Sequence, residues 1–263
     1  MNTVWRSIVR LAVLVLLSTL ALQLYFLARV ALMLVVDPQS TTFQRSEIWR
    51  LATEQHEVLW SQDWVAYERI ADPLKRAVIA SEDANFSDHS GVEWDALEKA
   101  WERNQRAEQR ADKINDRIDK RLARTPSAKT AAPKPVVHAQ AKVVGGSTIT
   151  QQLAKNLFLG GERSLPRKAQ EFIITFMLEA LLSKERILEI YLNNVEWGEG
   201  VFGAEAAARH YFHVGAAGLG TMQAARLAVM LPAPKRFEKR PGSAYVVGRA
   251  GTVAARMSSV DLP

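Results

Sequence analysis

The sequence predicts a mainly α-helical protein that carries one N-terminal transmembrane helix. Three observations support this fold class. Residues 11–28 form an apolar stretch without a charged side chain, apolar residues recur at helical spacing through most of the remaining chain, and no region alternates apolar and polar residues as the strands of a β-sheet protein do. With 263 residues, of which 48% are hydrophobic, the chain is long enough to form one core outside the membrane segment.

The first element is the apolar N-terminal stretch. Arg29 follows residues 11–28, and the apolar character resumes at residues 30–36. About twenty apolar residues in a helix are enough to cross the hydrocarbon core of a bilayer. A cleavable signal peptide is the alternative, but no clear small-residue cleavage site follows Val36. We therefore expect a retained membrane anchor.

The charges beside this stretch predict its orientation. Arg6 and Arg10 precede it, and Asp37 follows it. Positive side chains favour the cytoplasmic side of a membrane helix, so the N-terminus is expected in the cytoplasm and the rest of the chain outside. Residues 1–37 are thus predicted to be a cytoplasmic stub and a transmembrane anchor.

The remaining chain is predicted to have two parts, a juxtamembrane connection at residues 38–70 and a body at residues 71–263. The aromatic residues of the connection either lie at the level of the lipid headgroups or pack in the ordinary way; they are Trp49, Trp60, Trp64 and Tyr67. The body begins with a helical pattern at Asp72 and contains a long, strongly apolar helix predicted over residues 167–193. Such a helix is typical of a core element.

A charged segment interrupts the body at about residues 102–142. It holds eleven Lys or Arg and five Asp or Glu, and this excess of six equals the net charge of the entire chain. The segment begins with a helical pattern and ends in TPSAKTAAPKPVV, a composition typical of a flexible linker. Two interpretations follow, a basic arm that binds anionic headgroups or a solvated helix with a tether.

The overall composition narrows the classes of partner and site. A sequence pI of about 9.6 favours an anionic partner, which could be nucleic acid, phospholipid headgroups or a phosphorylated substrate, and charge alone does not choose among them. The chain has no cysteine, which excludes disulfides and thiolate metal sites.

The first motif with chemical potential is SEDANFSDHSG at residues 81–91. Glu82 and Asp83 end an apolar helical run at the point where polar residues and Gly91 indicate a break. A carboxylate at a helix end beside a cleft is well placed to transfer a proton. An isolated Glu-Asp pair is more often a solvated or capping pair, so this motif alone decides little.

The second motif is VVGGSTITQQLAKN at residues 143–156. Thr148 and Gln151 have the spacing of a capping box, and Ser147 or Thr148 is alternatively free to turn its hydroxyl toward a ligand. A helix N-terminus suits a phosphate. The cations that follow closely are Lys155, Arg163, Arg167 and Lys168. Either a pyrophosphate site or a plain junction between a loop and a helix fits this pattern.

The third motif is RKAQE at residues 167–171. Glu171 lies three and four residues after two cations, a spacing that places the side chains on one helical surface. A weak surface ion pair is the ordinary interpretation. The apolar residues directly after Glu171 argue instead for a carboxylate with a specific partner or task.

These motifs, followed by ILEIYLNN in the same order, resemble the signature motifs of family 51 glycosyltransferases, the peptidoglycan polymerases. The similarity extends over residues 74–237 and implies a lysozyme-like, mostly α-helical fold with two lobes around a cleft. The closest type is expected to be the monofunctional biosynthetic transglycosylase, because no penicillin-binding transpeptidase domain follows. The charged segment departs from the family pattern, since it is longer than the usual connection between the first two motifs.

The resemblance implies lipid II as the substrate, with undecaprenyl pyrophosphate as the leaving group. Glu82 would be the catalytic base, and Glu171 would be a second catalytic carboxylate that orients the cations or helps to bind a divalent cation, Mg or Mn. No metal site is otherwise predicted. The expected substrate-binding residues are Asp83, Ser147, Thr148, Gln152, Lys155, Arg163, Arg167 and Lys168.

The resemblance also implies partners and location. We expect the growing glycan strand, membrane lipid and other cell-wall synthesis proteins as partners, but no nucleic acid, and a single-pass protein of the inner membrane with its catalytic domain outside the cytoplasm. Two alternatives remain open, a lysozyme-like lytic enzyme that cleaves peptidoglycan and an inactive, membrane-tethered scaffold.

Overall fold

A computed structural model describes residues 3–124, 138–140, 145–162 and 164–263, and its described part is mainly helical. The helices are α1 (Thr3–Leu32), α2 (Thr42–Arg50), α3 (Asp72–Glu82), α4 (Trp94–Arg124), α5 (Ile149–Phe158), α6 (Leu165–Leu181), α7 (Lys184–Asn194), α8 (Ala204–Phe212), α9 (Thr221–Met230), α10 (Pro234–Phe237) and α11 (Ala244–Arg256). The strands are β1 (Ser61–Gln62), β2 (Glu196–Gly198) and β3 (Val201–Phe202). The predicted mainly α fold class is confirmed.

The chain divides into two compact units. The first contains Met1–Val92 and Thr148–Pro263, and the second contains Glu93–Ser147. The motif around Glu82 and the helices that follow Thr148 therefore belong to the same unit.

Helix α1 is long and apolar enough to cross a membrane over Val4–Leu32. Most of its side chains are exposed, as expected for a helix that lipid would surround. Only its C-terminal end is packed, where Phe26, Val30 and Met33 join the hydrophobic core of the first unit. By length and composition, the helix is consistent with the predicted anchor.

Residues 38–70, predicted as a connection, contribute structure to the first unit. Helix α2 begins with a capping box in which the side chains of Thr41 and Gln44 bind each other's backbone N–H groups. Both residues are fully buried, and so is Leu51 in the π-helical turn that follows. Helix α2 packs against α5, and β1 pairs with β3. These residues are thus built into the body that carries the site.

The core of the first unit forms around α3. Leu74, Ala77 and Val78 share one face of this helix because they lie three and four residues apart, and all three are completely buried. Helix α3 packs against α9 and α11, while α5 packs against α6 and α7. A small sheet of order β1–β3–β2 adds one parallel and one antiparallel pair.

The long helix predicted over residues 167–193 is in fact two helices, so that prediction was wrong. Helix α6 ends at Leu181, and α7 begins at Lys184. Ser183 separates them because its hydroxyl accepts a hydrogen bond from the backbone N–H of Arg186 at 3.2 Å, which starts a new helix. The interruption lets two apolar segments pack in different directions.

The second unit is dominated by α4, which begins eight residues before the charged segment and supplies the helix predicted for its first part. Asn115 of α4 holds the chain at Ala139 through two hydrogen bonds, at 2.7 and 3.1 Å. The predicted linker at residues 125–137 lies outside the described residues.

Candidate active site

Glu82 is the last residue of α3, and the buried face of that helix fixes its position. Its Oε2 atom accepts a hydrogen bond from Nε2 of Gln152 on α5, at 3.0 Å. Burial raises the pKa of the Glu82 carboxyl, the neighbouring charge of Asp83 raises it further, and the Gln152 hydrogen bond opposes both effects. A carboxyl with a raised pKa is suited to accept a proton near neutral pH.

Gln152 is held from its other side by α7. The hydroxyl of Tyr191 donates a hydrogen bond to Oε1 of Gln152, at 2.9 Å. Tyr191 is 1% exposed, and burial raises the pKa of its phenol well above the usual value. The amide of Gln152 on α5 therefore connects the end of α3 with the buried phenol of Tyr191 on α7.

Asp83 joins the end of α3 to the start of α5. Its Oδ2 atom accepts a hydrogen bond from the backbone N–H of Ile149 at 3.0 Å, and its Oδ1 atom lies 2.8 Å from Nε2 of His89. The N–H of Gly91 donates to Nδ1 of His89, so Nε2 carries the proton that faces Asp83. Both carboxylate oxygens of this buried residue are thus engaged inside the protein.

The predicted capping box at the start of α5 is confirmed. The Thr148 hydroxyl accepts a hydrogen bond from the N–H of Gln151 at 3.2 Å, and the Gln151 side chain accepts one from the N–H of Thr148 at 3.0 Å. The Thr148 hydroxyl also donates to the carbonyl of Gly91 at 2.6 Å. Thr148 is buried, whereas Ser147 is exposed and belongs to the second unit.

Glu171, the second of the two predicted catalytic carboxylates, lies among cations. Its two oxygens accept hydrogen bonds from Arg167, at 3.3 Å, and from Lys168. All three residues lie in the first half of α6, which begins at a Ser164 cap and includes a proline in its first turn. The side chain of Glu171 is 4% exposed, so the ion pairs satisfy a carboxylate that is otherwise shielded from water.

Lys155 projects from the exposed face of α5, and its electrostatic environment includes the cluster on α6. Surrounding protein atoms lower the pKa of its amine, and the charge of Glu171 opposes this effect, while Arg167 and Lys168 lower the pKa further. Arg163, predicted as part of the same group, lies outside the described residues.

A cavity of about 590 Å³ brings several of these residues together. Its lining includes Gln152, the partner of Glu82, together with Lys155 and Arg167. The other lining residues are Phe43, Ser46, Glu47, Asn156, Leu159, Gly160, Gly161, Val195, Glu196, Leu231 and Pro234. Thus residues of the second motif and of the start of α6 line one concave surface, and Glu82 of the first motif is linked to it through its hydrogen bond with Gln152.

Glu47 and Glu196, which also line this cavity, belong to a second set of charges that the sequence did not predict. Lys235 forms an ion pair with Glu47, and its Nζ atom lies 3.4 Å from Oε1 of Glu196. Glu196 is 7% exposed, and burial raises the pKa of its carboxyl to about 7, while the charge of Lys235 opposes this effect. Its apolar neighbours in VEWGEGVF were the available signal of a buried carboxylate.

The surroundings of Glu171 do not fit a metal held by protein ligands. Both of its oxygens already accept hydrogen bonds from cations. In the part of the chain that the structure describes, no group of three or more His, Asp or Glu side chains is arranged to hold a metal ion. The contacts therefore fit an anionic centre that organises cations.

A mainly helical body in which a carboxyl of raised pKa is hydrogen-bonded to the lining of a cavity with cations is compatible with the class of sugar-transferring enzymes. The characteristic sequence pattern of the transglycosylase family matches residues 51–113 and 124–258, and the chain belongs to this family. The predicted family and its lysozyme-like fold class are confirmed. The match is interrupted inside the charged segment, where the chain was predicted to depart from the family pattern.

Similar proteins agree with this membership. The biosynthetic peptidoglycan transglycosylase of Paraburkholderia phytofirmans is 46% identical over 259 residues, which cover 98% of this chain and 94% of the relative. The protein of the same description from Burkholderia pseudomallei is 49% identical over 245 residues, with 93% and 83% covered. That from Bordetella pertussis is 45% identical over 259 residues, with 98% and 96% covered.

Proposed function

We propose that this peptidoglycan glycosyltransferase polymerises lipid II into glycan strands and releases undecaprenyl pyrophosphate. The observation that carries the proposal is the position of Gln152, which contacts Glu82 and lines the same cavity as Lys155 and Arg167. The proposal assigns the proton acceptor to one end of the glycosyl–phosphate bond and the set of cations to the other.

Glu82 acts as the base in this proposal. Its carboxylate removes the proton from the 4-hydroxyl of the acceptor's N-acetylglucosamine as that oxygen attacks the anomeric carbon of the donor's N-acetylmuramic acid. The C–O bond to pyrophosphate breaks on the opposite face, and the configuration inverts. The raised pKa of Glu82 supports this role, because a base is most effective when its pKa is near the working pH.

The cation cluster stabilises the leaving group. A pyrophosphate leaves as an anion, so positive charge serves it better than a protonating acid does. Lys155 and Arg167 line the cavity, and Lys168 shares the carboxylate of Glu171 with Arg167. We assign Ser147 and Arg163 to the same group by their match to the family motifs.

Glu171 orients these cations, and its two ion pairs support this role over that of a metal ligand. A requirement for Mg or Mn stays a prediction of the family resemblance. Asp83 and Thr148 serve the site indirectly in this proposal. Their internal hydrogen bonds support a positioning role, because they hold the start of α5 against the segment that follows Glu82.

The apolar helix α1 supports a location at the membrane that contains the lipid-linked substrate. We propose a single-pass protein of the inner membrane with a cytoplasmic N-terminus and a catalytic domain outside the cytoplasm. Its partners are then lipid II, the growing strand and membrane lipid. Contacts with other cell-wall synthesis proteins stay a prediction.

The test is an assay of the purified full-length protein in detergent with lipid II that carries a labelled sugar. We expect glycan strands from the wild type and none above background from Glu82→Gln. Incubation of the same preparations with isolated sacculi distinguishes the lytic alternative. Soluble fragments from sacculi, without polymer from lipid II, would overturn the proposal, and binding of lipid II without turnover by the wild type would favour a scaffold.

A further inference from the structure

We infer that Tyr191 is a positioning residue for the proposed base. Its hydroxyl holds the amide of Gln152 in the one orientation that presents an N–H group to Glu82. The inference rests on the proposed function of Glu82, and it adds a residue of α7 that the first two motifs do not contain.

The geometry is a chain of two hydrogen bonds through one amide. Tyr191 donates to Oε1 of Gln152 at 2.9 Å, and Nε2 of the same amide donates to Oε2 of Glu82 at 3.0 Å. An amide has an acceptor on one side and donors on the other. The hydrogen bond that fixes the acceptor side of Gln152 therefore decides whether Glu82 faces the N–H group or the oxygen of that amide.

Tyr191 is suited to fix that side. It is 1% exposed, and its buried phenol stays protonated at physiological pH because burial raises its pKa. If the amide rotated by half a turn, the Gln152 oxygen would face Glu82 and the hydroxyl would lose its acceptor. The charged neighbour that acts on Glu82 is Asp83, which is itself paired with His89. The groups that α5 and α7 direct at Glu82 are a neutral amide and a neutral phenol.

The orientation has a consequence for proton transfer. An N–H group directed at Glu82 stabilises the ionised carboxylate and opposes the effect of burial. A carbonyl oxygen in the same place would instead accept a hydrogen bond from the protonated acid. Tyr191 thus keeps Glu82 available as a base at a lower pH than its burial alone would allow.

The direct test is Tyr191→Phe, which removes one hydroxyl from the full-length protein. We expect the acid limb of the pH profile of kcat to move upward by about half to one unit, the scale of one net hydrogen bond. Turnover below the limb falls about threefold to tenfold, and turnover well above it stays close to wild type. A merely structural role would lower turnover at every pH.

A matched control is Tyr211→Phe. Tyr211 is partly buried, and its hydroxyl, like that of Tyr191, donates one hydrogen bond, here to the carbonyl of Trp197 at 2.9 Å. Among the described residues, this hydroxyl makes no hydrogen bond to Gln152 or Glu82, so its removal is expected to leave the acid limb in place. An equal shift in both variants would overturn the inference.

A second measurement tests whether the effect of Tyr191 on the Glu82 pKa passes through the amide of Gln152. In protein with 13C-labelled glutamate, the Glu82 carboxyl is assigned by its loss in Glu82→Gln, and its titration by NMR gives the pKa without turnover. We expect Tyr191→Phe to raise this pKa in the wild-type background and to change it no further in Gln152→Ala. An unchanged pKa in the first background, or an undiminished shift in the second, would contradict the proposed route through Gln152.

These outcomes separate the inference from the function on which it rests. If Glu82→Gln retains polymerisation, the assignment of the base fails. If Glu82→Gln is inactive while Tyr191→Phe melts at the wild-type temperature and keeps the wild-type pH limb, only the role of Tyr191 fails.

Discussion

The end of α3 and the first half of α6 each carry a glutamate, Glu82 and Glu171. The electrostatic surroundings of the two carboxyls are opposite. Glu82 has a neutral amide as its partner and a second acid as its neighbour in sequence. Glu171 accepts hydrogen bonds from Arg167 and Lys168, and its charge also acts on Lys155. The first environment favours the protonated carboxyl, while the second surrounds a carboxylate with positive charge.

In the proposed mechanism, this difference lets one residue type serve two tasks in one unit. A carboxylate that is to take up a proton must not be neutralised by cations, because they would lower its basicity. A carboxylate that is to hold cations in place needs the reverse. The contrast supports a division in which α3 supplies the base and α6 supplies the binding site for the leaving group.

The largest effect is expected for Glu82→Gln, which tests the base side of the comparison. The amide cannot take up the proton of the acceptor hydroxyl, so polymerisation should fall by at least about a hundredfold. Binding of lipid II should persist, because the cation cluster is intact. The measurement is the initial rate with labelled lipid II beside a binding assay; near-normal polymer formation would refute the assignment.

The next effect is expected for Lys155→Ala, which removes a cation from the cavity. Weaker stabilisation of the departing pyrophosphate should lower kcat/KM by about tenfold to a hundredfold. Lys239→Ala is the matched control, because Lys239 is an exposed lysine outside the cavity lining. Steady-state kinetics decides the matter, and unchanged values for Lys155→Ala would remove this residue from the site.

A smaller effect on turnover, about tenfold, is expected for Glu171→Gln because the cations lose the carboxylate that orients them. The same change should lower the free energy of unfolding by about 2 kcal/mol, since partly shielded cations lose their partner. Glu82→Gln should instead leave stability unchanged or higher. Thermal melting of both variants at pH 7.5 compares the two carboxylates directly; destabilisation of equal size would erase the contrast between them.

The smallest effect is expected at Glu196, a third carboxylate with one cation near it. Its pKa is raised from an ordinary 4.5 to about 7. Between these values the folded protein retains a proton that the unfolded chain releases, so this group's contribution to stability is lost as the pH rises through 7. Glu196→Gln removes that loss and should gain about 1 kcal/mol relative to wild type between pH 5 and pH 6. Melting curves at both pH values test the sign.

The sequence was sufficient to predict the mainly helical fold class, the apolar helix and the capping box at Thr148, because these depend on local patterns. The order of its motifs also led to the family. It was not sufficient to predict the division at Ser183, since the apolar residues on both sides obscured a one-residue cap. Nor did spacing alone indicate that both oxygens of Asp83 are engaged within the protein.

The missed part of the site depends on contacts between distant residues. Glu47 and Glu196 line one cavity and both pair with Lys235, although the three residues are far apart in the chain. Tyr191 lies in the ILEIYLNN motif, and its hydroxyl donates a hydrogen bond to an amide 39 residues earlier in the chain. The periodicity of a single sequence does not indicate which buried hydroxyl forms a hydrogen bond with a side chain that is distant in the chain.

The link between α1 and α6 has a mechanical consequence. Gln23 and Gln170 exchange two hydrogen bonds, at 2.7 and 3.0 Å, and Phe26 packs edge-on against Phe158. Because Gln170 is the residue directly before Glu171, the apolar helix is attached next to the cations themselves. In the proposed membrane orientation, the position along α1 at which the amide pair forms sets the height of those cations above the bilayer midplane, and displacing Gln23 by one helical turn would move them by about 5 Å.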